Sequence, residues 1–107
     1  MNLVKGQKIK IQDIEFAERD EDWVEAIVLG TTETDLTLIS EFETLPEGAL
    51  EKILDMYMKH DLWDKDVYEY LKSINMDWMY ESITTFDHVG ETIYKSCIGY
   101  QFNIKIA

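Results

Sequence analysis

The chain has 107 residues, of which 46% are hydrophobic and 12% aromatic, and a formal net charge of −12. That length fits one domain, 1–107, with a core of its own, and the apolar content excludes a disordered acidic chain. The charge disfavours direct contact with nucleic acid or anionic lipid and favours basic proteins, at rates that fall with salt.

Residues 8–16, KIKIQDIEF, start as an alternating strand with Ile9 and Ile11 on one face and Lys8, Lys10 and Gln12 on the other. The phase slips at Asp13, and a bulge there would keep Ile14 and Phe16 on the core side with Glu15 outward. The connection 17–22, AERDED, is polar and mostly acidic. Residues 23–29, WVEAIVL, are apolar on both faces apart from Glu25, as in a strand covered on both sides. GTTETD then turns the chain. LTLISEF, 36–42, alternates again, with Leu36, Leu38 and Phe42 on one face. Such short connections predict an antiparallel meander over 8–42.

TLPE at 44–47 has the form of a helix start, with Thr44 as cap, Glu47 as its capping-box partner and Pro46 in the first turn. Leu50, Ile53, Leu54 and Tyr57 continue at helical spacing. A break near His60–Asp61 separates a second helix that buries Trp63, Val67, Tyr70, Leu71 and Ile74 and stops near Asn75. From Met76 the period returns to two, and a strand over 77–86 is expected, with a third short helix as the alternative. Asp87-His88-Val89-Gly90 has the composition of a hairpin loop. In 92–106 Tyr94, Ile98, Tyr100, Phe102, Ile104 and Ile106 share one face, which predicts a single long strand. The expected fold class is therefore α+β: an antiparallel sheet (a meander over 8–42, then strands about 77–86 and 92–106) with a two-helix hairpin, 46–75, packed on one face.

Chemistry-bearing motifs are absent. There is no phosphate-binding loop, dinucleotide fingerprint, nucleophile elbow or HExxH pair. His60 and His88 fall in predicted connections, and Cys97 with His88 has no supporting motif for thiol catalysis. Asp61, Asp64, Asp66 and Glu69 resemble a calcium loop only until its sixth position, where Asp66 replaces the required glycine; helix capping explains them. The expectation is a protein that is not an enzyme and has no cofactor and no metal. The opening LVKGQKI resembles the start of tellurite-resistance-type domains over about seven residues; the paired acidic calcium motifs of that family do not follow, so the resemblance implies no site. A lone cysteine, no apolar core in MNLVKGQKIK and no apolar run long enough to span a bilayer predict a cytoplasmic protein.

What remains is where the charge sits. Ile11 to Glu51 holds thirteen acids and one base, Arg19, and elsewhere acids and bases cancel. On a three-strand meander Glu15, Glu25 and Glu41 would form a row on one outer face, extended by Glu18, Asp20, Glu21 and Asp22 at one end and by Glu43 at the other. Like charges set side by side destabilise a sheet, so such crowding points to a partner whose lysines and arginines are spaced for phosphates. Trp23 beside the cluster would add an apolar anchor or fill the core. The reading is a non-catalytic acidic inhibitor, a nucleic-acid mimic that binds the basic groove of a nuclease or other nucleic-acid-binding enzyme. In charge, size and composition it resembles phage counter-defence proteins, anti-CRISPR proteins among them. The alternatives are an immunity protein that neutralises a toxin, and a structural or adaptor module that forms a homodimer through an apolar sheet edge at 92–106.

Overall fold

The computed structural model describes residues 3–14, 23–59, 65–88, 93–96 and 101–107. The described residues form a closed antiparallel barrel of six strands in sequential order. These are β1 (Lys8–Asp13), β2 (Val24–Thr31), β3 (Asp35–Ser40), β4 (Ile83–His88), β5 (Ile93–Ser96) and β6 (Gln101–Ile106). Two short helices, α1 (Ala49–Lys59) and α2 (Lys65–Ser73), and two 3-10 segments, Phe42–Thr44 and Asp77–Ser82, lie in the long connection from β3 to β4. The expected open sheet with a two-helix hairpin on one face is thus overturned. β6 pairs with β1 through Ile9↔Ile106 and Ile11↔Ile104, and this pairing closes the sheet. Because β6 also pairs with β5, and β5 with β4, the apolar edge expected at 92–106 is paired on both sides among the described residues. Closure removes the unpaired backbone groups that make an edge strand adhesive.

Alternation decides which side chains fill the barrel. Ile9 and Ile11, Ala26 and Val28, Leu36 and Leu38, Phe86, Tyr94 and Ile104 are buried together in its interior. Phe102 packs against them, its ring edge-on to Phe86 at 4.9 Å. In a barrel this narrow the side chains themselves occupy the interior, which is a packed core. Burial pushes the Tyr94 hydroxyl above its ordinary pKa.

The second face of β2 has a different use. Ile27 and Leu29 point outward, and with Ile39 of β3 they meet Ile53 of α1, Val67 and Leu71 of α2, and Met79. Ordinary alternation turns Val28 in and Leu29 toward the helices, and a register shift after Val28 then sets Gly30 opposite Thr37. The run WVEAIVL is apolar on both faces because it serves two cores.

Several boundaries differ from the expected ones for identifiable reasons. β1 ends at Asp13 without the expected bulge, and Ile14 is 40% exposed. β3 ends at Ser40 because Glu41 adopts a left-handed conformation (φ 55), which turns Phe42 out of the strand. Thr44 does not cap α1; its hydroxyl donates to the Glu41 carbonyl at 2.8 Å. The helix begins after Gly48, whose φ of 85 suits glycine and whose carbonyl accepts from Lys52. At the end of α2, left-handed Asn75 and the bond from the Met76 amide to the Leu71 carbonyl stop the helix. The strand expected over 77–86 is a 3-10 helix to Ser82 and a strand from Ile83. The single strand expected over 92–106 is two, β5 and β6, paired antiparallel with Tyr94 opposite Phe102.

Antiparallel closure sorts the connections between two mouths. One mouth receives the N-terminal segment, where Leu3 is buried and the Gly6 amide donates to the Val28 carbonyl at 2.8 Å. The β2–β3 turn lies at the same end, with Thr32 Oγ1 accepting from the Asp35 amide. At the opposite mouth β1 ends and β2 begins, β3 ends and β4 begins.

Candidate functional site: one mouth of the barrel

Of the expected row of glutamates, Glu15 lies outside the described residues, and Glu41 has left β3 with a left-handed backbone. Glu25 faces lysines instead: Lys10 is its direct partner on β1, and Lys105 of β6 lies opposite Lys10. Lys8 Nζ is 3.7 Å from Glu25, an exposed ion pair. Exposed pairs contribute about 0–1 kcal/mol, yet this one cancels local charge. Trp23 is half-buried, and its ring carries Lys105 Nζ at 4.0 Å from the centroid. Glu25 and Trp23 therefore belong to a mixed-charge face over β2, β1 and β6.

Past the last β2–β3 pair, Ala26↔Ser40, next to which Glu25 also lies, come Glu41 and Glu43. Both are exposed at the end of β3, at the mouth where Ile14 and Trp23 mark the two ends of the β1–β2 connection. Glu15, Glu18, Asp20, Glu21 and Asp22 belong to that connection and lie outside the described residues. The Ser82 hydroxyl donates to Glu41 Oε2 at 3.4 Å, and the Thr44 hydroxyl to the Met79 sulfur at 3.1 Å. These bonds join the 3-10 turn Phe42–Thr44 to the 3-10 helix Asp77–Ser82, which adds exposed Asp77, Trp78 and Glu81 to the same end. None of these three was singled out from sequence. The available signal was Trp78 and Glu81 at i and i+3, which the period-two reading of 76–83 assigned to different faces.

The other mouth carries a second acidic pair. Asp35 and Asp87 are directly opposite on β3 and β4, and Lys95 is opposite Asp87 on β5. The hydrogen bond with Asp35, then loss of solvent, then the Asp35 charge hold the Asp87 carboxyl above its ordinary range, against a smaller pull from Lys95. A folded-state pKa that is raised stabilises the protein below the ordinary value of 3.8, and this contribution is lost as pH rises through the raised value. Asp87→Asn is therefore expected to raise the melting temperature at pH 7 and to leave it unchanged at pH 3. Scanning calorimetry across that range checks it, and a lower melting temperature at pH 7 would show that the attraction to Lys95 dominates.

Among the described residues, no group of three or more His, Cys, Asp or Glu side chains is arranged to hold a metal ion. Asp66 lies in the first turn of α2, and Asp61, Asp64 and Cys97 fall outside the described residues. No helix among the described residues is long and apolar enough to cross a membrane. Fold and site together define a small closed β-barrel with a helical insertion and an acid-rich mouth. No family model, curated protein or solved structure matches the chain.

Proposed function

We propose that the protein is a non-catalytic inhibitor that applies the acidic mouth of its barrel to a basic protein surface and competes there with nucleic acid. The partner is a nuclease or another nucleic-acid-binding enzyme, met in the cytoplasm, the compartment that a single cysteine suits. One observation carries the reading: exposed Glu41, Glu43 and Glu81 lie at the mouth where the connection 15–22, with five acids and one arginine, leaves and rejoins the barrel. Carboxylates gathered at one end face lysines and arginines spaced for phosphates, and the filled interior leaves the outer surface for binding.

The test is capture from a lysate of the native host at low salt on the immobilised protein, followed by elution in a salt gradient and mass spectrometry. Basic nucleases or nucleic-acid-binding proteins in the late fractions are the expected result. Retention only of neutral or acidic proteins, unaffected by salt, would remove the proposal.

A further inference from the structure

We infer that Trp78 is the anchor of this contact and that it receives an arginine side chain of the partner, an inference that rests on the binding role proposed above. Trp78 is 51% exposed, although its neighbour in the 3-10 helix, Met79, is fully buried. The support beneath the indole is fixed. Met79 is held in the second core and accepts from Thr44, Tyr80 stands edge-on to Tyr68 at 5.4 Å, and the Ser82 carbonyl accepts from Ser40 Oγ. An apolar side chain of this size, left in water on a rigid support, matches the aromatic anchors that dominate protein interfaces.

The surroundings of the indole specify the occupant. In a 3-10 helix side chains three apart lie one above the other, so Glu81 shares the face of Trp78. Glu41 is tied to the next residue, Ser82. Glu43 sits beside Thr44, which touches Met79. Among the described residues Glu43, Asp77 and Glu81 have no lysine partner. Elsewhere four aromatic rings carry the protein's own lysines: Lys5 over Tyr57, Lys8 over Phe42, Lys52 over Tyr70 and Lys105 over Trp23. Trp78 carries no such cation among the described residues. An indole flanked by unpaired carboxylates suits a guanidinium, which stacks on the ring while its N–H groups reach the acids and which loses its hydration more readily than an ammonium does.

The experiment uses nona-arginine and nona-lysine peptides as probes, titrated calorimetrically into the full chain at low salt. Trp78→Ala is expected to weaken nona-arginine binding at least about tenfold with an unchanged far-ultraviolet circular dichroism spectrum, and nona-lysine is expected to bind more weakly than nona-arginine. Unaltered affinity in Trp78→Ala, with binding still lost when Glu18, Asp20, Glu21 and Asp22 are neutralised, would overturn the anchor and leave the acidic-mouth reading in place. Equal affinity for the two peptides would overturn the preference for arginine. Failure of the native protein to bind either peptide would overturn the anchor and the reading it rests on.

Discussion

Replacing Ile39 with alanine is expected to destabilise the protein as much as replacing Leu38, by about 3 kcal/mol in each case. The two residues are adjacent in β3 and point opposite ways: Leu38 into the barrel, Ile39 beneath α1 and α2. Both are fully buried, so each truncation loses transfer free energy and leaves a cavity that the strand ladder cannot collapse around. Against a total stability of roughly 5–15 kcal/mol either change is severe, and about 3 kcal/mol lowers the melting temperature by ~15 °C in a domain of this size. β2 and β3 contribute to both cores, so helices and barrel are expected to unfold in one transition. Urea denaturation followed by far-ultraviolet circular dichroism and by tryptophan fluorescence checks this, with coincident midpoints for both variants. A helical signal that melts first in Ile39→Ala, over an intact barrel, would show that the insertion is a separate cooperative unit. Ile106→Ala is the control: its side chain is 53% exposed at a strand end and is expected to cost less than about 0.5 kcal/mol.

These two cores explain what the sequence reveals and what it hides. Periodicity reports which face a side chain takes, and for Ile9, Ile11, Leu36, Leu38, Tyr94 and Ile104 that face is the barrel interior. The doubly apolar β2 signals cover on both sides. Periodicity does not report which strand lies beside which, so nothing in KIKIQD or QFNIKI marks them as partners, and closure of the sheet is invisible until β6 meets β1. The same limitation conceals the β5–β6 hairpin. Tyr94 and Phe102 are an even number of residues apart, so a reversal of the chain between them preserves the alternation of one long strand. Glu41 is a different case. Its left-handed backbone ends β3 two residues before the pattern does, and a glutamate gives no local warning of that conformation. For Glu25 the hidden quantity is register: Lys8 and Lys10 share a face of KIKIQD, but only the pairing Lys10↔Glu25 sets them against this carboxylate, and closure then adds Lys105 alongside Lys10.

Neutralising Glu18, Asp20, Glu21 and Asp22 as Gln, Asn, Gln and Asn is expected to slow association with a basic partner by at least about tenfold at 0.15 M salt, with a much smaller effect at 1 M salt. Screening limits the range of each charge. At 0.15 M salt an exposed charge is felt over about 8 Å, so acids within five consecutive residues act together on an approaching lysine or arginine, whereas acids on other elements contribute little. The reading therefore predicts an effect of position as well as of net charge. Changing Glu33, Glu51, Asp66 and Glu69 removes the same formal charge from the β2–β3 turn and the two helices, and is expected to leave the association rate within about twofold. Glu25→Gln is expected to do the same, because Glu25 is already engaged by Lys8 and faces Lys10. Stopped-flow association rates for the native protein and the three variants, measured across a salt series, separate the cases. Equal losses in the two fourfold variants would mean that bulk charge alone attracts the partner and that the mouth has no special part. Loss confined to the change at 18–22, with Glu25→Gln unaffected, would locate the contact at the end of the barrel, away from the lysine-bearing face of β1 and β6.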